Sequence, residues 1–388
     1  MSFRMNIAHV VSATGWGGME ARTLETAVWQ AEHGHEVLVV AAQGGATHEE
    51  AARRGLDAFA LDFQAPEKLA NLAALRKRLR RHGASVADFH TNRSFAIGVQ
   101  DICPLVRSRH NLNRRRASPG LPKIFPFDQI IATSEAERSH LVSSGASRRK
   151  VTVVGEWAEE RFFAPPPTAE EIAVRRAALG VRPGDFLIGA CGLLRPDNDF
   201  AALILATAEL RERGLPVSCL VIGGPPETAR QDAAQGLHRL AASLGIANSV
   251  HLLGYRSDVP ALLDVLDVAA VVSRHTAQTR VGPEAAARGL PVVGFAVGAL
   301  GETVRQGETG FLVGLDDIPA FANALERLLR DPPLRARMSW AAARCAEMNF
   351  RQRAKMEQTL AAYRLADARR GLPLSALGVH PQSIVQFG

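Results

Sequence analysis

Strand-like apolar runs alternate with helix-like stretches along the whole chain, and few folds accommodate that pattern. Residues 7–11 form one such run, followed by a glycine-rich turn. From about Glu20, the residues Leu24, Ala27, Val28 and Ala31 fall on one helical face. Gly34 closes that stretch, and residues 37–41 are strand-like again. Further runs lie at 130–133, 151–154, 187–191, 217–222, 250–253, 268–272 and 291–293. Strands separated by helices pair in parallel, with the helices as crossovers. The expected class is therefore α/β with parallel sheets. With 388 residues, 47% of them apolar, the chain has material for more than one core.

Residues 156–168 contain Pro165, Pro166 and Pro167, which fix φ and remove three backbone donors. The stretch can be neither helix nor central strand, and a fresh series of strands and helices follows it. This predicts a domain over 1–160, a second over 161–350, and a final segment over 351–388. That segment opens with a long helix ending near Arg370, before Gly371 and Pro373. No apolar run is long enough to span a bilayer, and residues 1–6 lack a signal-peptide core. The expectation is a cytoplasmic protein. Cys103, Cys191, Cys219 and Cys345 form no Cys-x-x-Cys pair and read as buried, reduced thiols, not metal ligands.

The net charge of +7 suits nucleic acid, an anionic membrane surface or phosphorylated substrates. Only 6% of residues are aromatic and none interleave with the basic ones, which argues against nucleic acid. The basic residues concentrate in the run 107–123, with Arg107, Arg109, Arg114, Arg115, Arg116 and Lys123 and no acid. Such a run is either a solvated face or a contact for phosphorylated lipid or the inner face of a membrane.

Five segments have residue types suited to chemistry. Gly15, Gly17, Gly18 and Glu20 lie between the first strand and first helix, where backbone amides can approach an anion. The G-x-G-x-x-G spacing of a dinucleotide site is absent there. His90 follows a strand, at the edge where ligands bind in parallel sheets; it can move a proton or be satisfied by local backbone. His110 lies in the basic run. Residues 192–200 form a turn after a strand and contain Arg195 and Asn198. Gly254, Tyr255, Arg256 and Asp258 form another. The fifth segment is an ordered set: a strand over 267–273, then Thr276, Gly282, Pro283 and Glu284, then Gly289-Leu290-Pro291-Val292-Val293, Gly298 and Gly301.

That ordered set resembles the donor-site block of glycosyltransferase family 4, and Gly17-Gly18-x-Glu20 is similar to the family's N-terminal loop. The resemblance implies two Rossmann-like domains facing a cleft (the GT-B type), with the C-terminal helix crossing back to the N-terminal domain. It implies sugar transfer from a nucleotide-diphosphate-sugar to a saccharide or lipid-linked acceptor, with retention and without a metal or other cofactor. Envelope polysaccharide or lipopolysaccharide assembly is the setting it suggests.

By the same resemblance, Gly17, Gly18, Arg195, Asn198, Tyr255, Arg256, Thr276, Gly282 and Glu284 would face the donor. Glu284 would hold the ribose. His90 and Arg195 would be catalytic, and Arg107, Arg109 and His110 would lie on the acceptor side. The chain departs from the family pattern at Asn92, where some members have histidine, at Leu193 and Asn198, usually arginine and lysine, and at Thr276, usually acidic. These departures keep a second reading open: a transferase fold that no longer catalyses and instead binds a nucleotide or scaffolds an assembly.

Overall fold

The structure is a computed structural model that describes residues 4–63, 68–91, 94–110, 126–224, 232–274 and 280–369. Asn92, Arg114, Arg115, Arg116, Lys123 and Thr276 lie outside the described residues.

Thirteen strands are present among the described residues, and each ladder between them is parallel. The first sheet contains β1 (Asn6–Val11), β2 (Glu36–Ala42), β3 (Asp57–Leu61), β4 (Val86–Phe89), β5 (Leu105–Arg109), β6 (Gln129–Ala132) and β7 (Val151–Val153), in the order β3-β2-β1-β4-β5-β6-β7. The second contains β8 (Phe186–Cys191), β9 (Val217–Ile222), β10 (Val250–Leu252), β11 (Val268–Val271), β12 (Val292–Phe295) and β13 (Gly310–Val313), in the order β10-β9-β8-β11-β12-β13. In both sheets the order reverses beside the first strand, between β1 and β4 and between β8 and β11. Loops diverge at such switch points and leave a crevice beyond the strand ends.

Each sheet is covered on both faces, so its strands read as continuous apolar runs such as Val37–Ala42. In the first sheet Ala8, Val10, Leu38 and Phe89 pack with Leu75 and Leu79 on one side. On the other side Ile7, Val86, Val106 and Ile131 meet Leu360 and Tyr363. In the second sheet Val217, Ala270 and Phe295 pack with Leu203, Phe321 and Leu325, while Leu187, Leu220 and Val271 face Leu262, Leu266 and Leu300.

The chain divides into two compact units, Met1–Gly155 with Lys355 onward, and Glu156–Ala354. The last described helix, Gln352–Ala368, therefore belongs to the first unit for most of its length. Tyr363 on it is fully buried and donates to Asp88 Oδ2 at 2.7 Å. After the prolines, Thr168 opens the helix Ala169–Ala178 with a capping box to Glu171, satisfying two donors the proline stretch cannot continue.

Candidate functional site

In the second unit the crevice beyond β8 and β11 is built from backbone. Gly192 N donates to Ile222 O at 3.0 Å, Leu194 N to Gly224 O at 2.9 Å, and Gly223 N to Gly254 O at 2.8 Å. The loops after β8, β9 and β10 thus stack main chain on main chain. A Cβ on Gly223 would lie 1.8 Å from the Gly192 carbonyl oxygen, and its φ is +147°. Only glycine fits there.

The turn after β8 is tied to the end of β11. Asp199 N donates to Val272 O at 2.9 Å and Arg274 N to Asp197 O at 2.8 Å, with a bridge between Asn198 and Ser273. Asn198 Nδ2 donates to Leu193 O at 2.9 Å, and its amide fills the space a Cβ on Gly192 would need. Asn198 is therefore a fastener of the turn. Asp199 caps the helix Phe200–Glu212 and also receives Arg274 at 2.8 Å. Arg274 reaches Asp316 at 2.6 Å as well. Arg195 is exposed on the same turn and its side chain has no partner among the described residues.

A small cavity at this edge is lined by Cys191, Asn198, Phe200, Ser273 and Val281. Glu284, on the helix Val281–Ala287, is 6% exposed and accepts from Arg280 Nε at 3.2 Å. Burial and the nearby Glu284 charge push the Cys191 thiol up. Arg280 also lies 3.5 Å from Glu159. Gly282 has a packing role: a Cβ there would meet Thr303 Oγ1 at 2.7 Å. Tyr255 is exposed beside Gly224, and Arg256 is engaged by Asp258 at 2.8 and 2.6 Å.

In the first unit the switch point is narrowed by Ser12 Oγ and Thr91 Oγ1, 2.7 Å apart, and by His90 N donating to Val10 O at 3.0 Å. Gly17 precedes the helix Gly18–Glu32, and Glu20 folds back to 3.1 Å from where a Gly17 Cβ would stand. His90 is 6% exposed. It joins His9 on one side and half-buried His110 on the other, each at 2.9 Å, and His9 joins Gln30 at 2.8 Å. Burial, with the neighbouring His110, His9 and Arg107, holds the His90 imidazole well below its usual range. Burial also pushes His110 down to about 4, against Asp88 and with Arg107 and Arg22. Asp88, opposite His9 in the β1–β4 register, accepts from Ser108 N at 3.0 Å, Ser108 Oγ at 2.7 Å and Tyr363.

The basic run does not begin as a solvated face. Arg107 and Arg109 lie on β5 and are half-buried. Arg107 donates to the Thr91 carbonyl, and Arg109 meets Glu137 at 2.8 Å, a carboxylate whose pKa burial raises and Arg109 opposes. The alternation of arginine with small residues hid this strand from the sequence. His9, Gln30, Arg274 and Arg280 were also missed. The four-residue spacing of Arg280 and Glu284 was a legible signal; His9, a lone histidine in an apolar run, was a weaker one.

Comparison with known proteins adds the family. The profile of Glycosyltransferase Family 4 matches residues 16–156, and that of Glycosyl transferases group 1 matches residues 185–331. The chain belongs to glycosyltransferase family 4. A D-inositol 3-phosphate glycosyltransferase of Rhodococcus erythropolis is 36% identical over 248 residues, 62% of this chain and 54% of that protein. One from Stackebrandtia nassauensis is 32% identical over 260 residues, covering 61% and 57%. The match thus spans about half the length of these relatives. Among solved structures, Anabaena HepE in complex with UDP superposes with a TM-score of 0.79 at 22% identity, over 92% of this chain and 99% of that one. A Rickettsia africae glycosyltransferase gives 0.81 at 18%, over 94% and 98%. These likenesses establish the GT-B fold of two parallel sheets with flanking helices.

Proposed function

We propose that this chain transfers a sugar from a nucleotide-diphosphate-sugar to a saccharide or lipid-linked acceptor, with retention and without a metal, in envelope polysaccharide or lipopolysaccharide assembly. The observation that carries the reading is the crevice of the second unit. There buried Glu284, exposed Arg195 and the glycine-stacked loops meet at one sheet edge. Glu284 suits the two vicinal hydroxyls of a ribose, because a carboxylate accepts from both. Arg195 suits the diphosphate, where a guanidinium can grip two oxygens and stabilise charge as the bond to the sugar breaks. Support for the donor class comes from Anabaena HepE, whose structures hold UDP and UDP-glucose. The base and the sugar are left open. On the acceptor side the reading places His90, His110 and Arg107 near the hydroxyl that attacks.

A second reading has one specific observation in its favour. Asn198 stands where a lysine would face the diphosphate, and its side chain is committed to Leu193 O. A nucleotide-binding protein that no longer transfers would tolerate this. The test is to find a binding nucleotide-sugar by thermal shift, then follow its consumption with an acceptor extract. Consumption that Arg195→Ala abolishes supports transfer. Binding without consumption, with consumption restored by Asn198→Lys plus Thr276→Glu, supports the second reading.

A further inference from the structure

The three histidines of the first unit form a line, not a cluster. The rings of His9 and His90 have centroids 5.2 Å apart with their facing nitrogens at 2.9 Å. His90 and His110 repeat both distances. The centroid separation exceeds the nitrogen separation by only the two ring radii, so each pair points head-on. His9, Asp88 and His90 also bring ligand-type atoms within 4.8 Å of one another. Lone pairs aimed along a common line do not converge on a shared ion, and the carboxylate is already occupied by Ser108 and Tyr363.

A head-on imidazole pair shares one proton, so the direction of each bond fixes that of the next. Tyr363 spends its proton on the acceptor-only Asp88 carboxylate and turns its oxygen lone pairs outward. The Gln30 amide lies beside that phenol. Its NH₂ end is the compatible one there, although it closes no full hydrogen bond. Gln30 Oε1 is then left facing His9 Nε2, at 2.8 Å. An amide oxygen only accepts, so His9 must donate from Nε2 and accept at Nδ1. His90 must then donate from Nε2, and so must His110.

We infer that Gln30 and His9 are positioning residues that lock His90 and His110 as Nε2–H tautomers, leaving the His110 Nδ1 lone pair as a fixed acceptor for a hydroxyl of a sugar ligand. No bond to His110 Nδ1 is formed among the described residues. The groups around the line are Asp88 and Arg107 from the sheet, Arg22 and Gln30 from the helix Gly18–Glu32, and Tyr363 from Gln352–Ala368. Burial, opposed by Asp88 and helped by Arg107 and Arg22, disfavours a charged imidazole at His110. The sugar ligand rests on the function proposed above; the tautomer lock does not.

The experiment therefore reads the ligand-free protein. Long-range ¹H–¹⁵N spectra of histidine-labelled chain, assigned by single substitutions, report which ring nitrogen carries the proton. The wild type is expected to show Nε2–H at His9, His90 and His110 at pH 7. Gln30→Leu is expected to give mixed tautomers at all three, while the remaining histidines stay unmoved. Gln30→Glu, which still accepts from His9, is expected to restore Nε2–H at His90 and His110. Nδ1–H or charged rings in the wild type, or unmoved His90 and His110 signals in Gln30→Leu, would overturn the lock. Acylation by diethyl pyrocarbonate, which needs an accessible neutral nitrogen, is expected at His110 and not at His9 or His90. An unreactive His110 would overturn its role as an open acceptor. Failure of sugar transfer with the tautomers as stated would count against the proposed function alone.

Discussion

Glu284 is held in the second unit by Arg280, one turn earlier on the same helix, with Glu159 sharing the guanidinium. A carboxylate this buried has little freedom, so it is preorganised for whatever approaches it. Glu284→Gln keeps the volume and removes the charge. It should weaken nucleotide binding by about 1–3 kcal/mol, the range for losing a charged hydrogen-bond partner. Calorimetric titration of wild type and variant with the same nucleotide checks this, and equal affinities would remove Glu284 from the site. Arg195 is the opposite case. Its exposed side chain supports no contact among the described residues, so Arg195→Ala should leave the melting temperature within about a degree or two, as for most surface changes. Turnover should fall by about 10²-fold or more if the guanidinium stabilises the leaving diphosphate. A matching loss of folded protein would instead make Arg195 a structural residue.

The elements that shape the crevice of the second unit are turns, and their glycines differ in what they permit. Gly223→Ala forces a Cβ into the Gly192 carbonyl at a φ of +147°. Strain at such a position costs about 1–3 kcal/mol before the backbone clash is counted. Gly236, within the helix Asp232–Ser243, has nothing within 4 Å of a would-be Cβ. There the same change should stabilise by about 0.5–1 kcal/mol. Urea unfolding of the two variants measures the contrast, and similar stabilities would refute the stacked-loop account. These elements also mark what could be read from sequence. The strand–helix alternation, the Pro165–Pro167 stretch and the ordered glycine and Glu284 block were legible because periodicity, lost donors and fixed spacing are local properties. β3, β5 and β13 were not singled out. β5 carries Arg107 and Arg109, whose partners at Thr91 and Glu137 are 16 and 28 residues away in the chain. The same holds for His9, His90 and His110, contributed by the β1, β4 and β5 regions. Asn198 reads in sequence as a missing lysine, and only the bond to Leu193 O reveals what it does instead.

Among the described residues, the two units differ in how many histidines they bury. In the first unit His9, His90 and His110 are held below their usual range, as are buried His35 and half-buried His82. Among the described residues of the second, half-buried His251 is shifted down. A histidine with a depressed folded pKa stays neutral in the fold while the unfolded chain takes up a proton below about pH 6.5. The unfolded state then binds more protons, so stability is full above that pH and declines as pH falls toward the folded value, about 4 for His110. Each fully buried imidazole can contribute at most about 1.4 kcal/mol per pH unit in this window. His82 and His110, both half-buried, count for less, since solvent reaches them. Between pH 6.5 and 5 the shifted carboxylates contribute little, because their unfolded counterparts remain ionised. Glu137, whose pKa burial raises, would stabilise the first unit on acidification and opposes the trend by one group against three. Amide hydrogen exchange at pH 7 and pH 5, corrected for intrinsic rates, should therefore show protection falling in β1, β4 and β5 while β8, β9 and β11 hold theirs. Replacing His9, His90 and His110 together with Gln should lower stability at pH 7 and flatten its dependence on pH. Equal loss of protection in both units, or an unchanged slope in the triple variant, would mean the buried imidazoles do not set the acid stability of this chain.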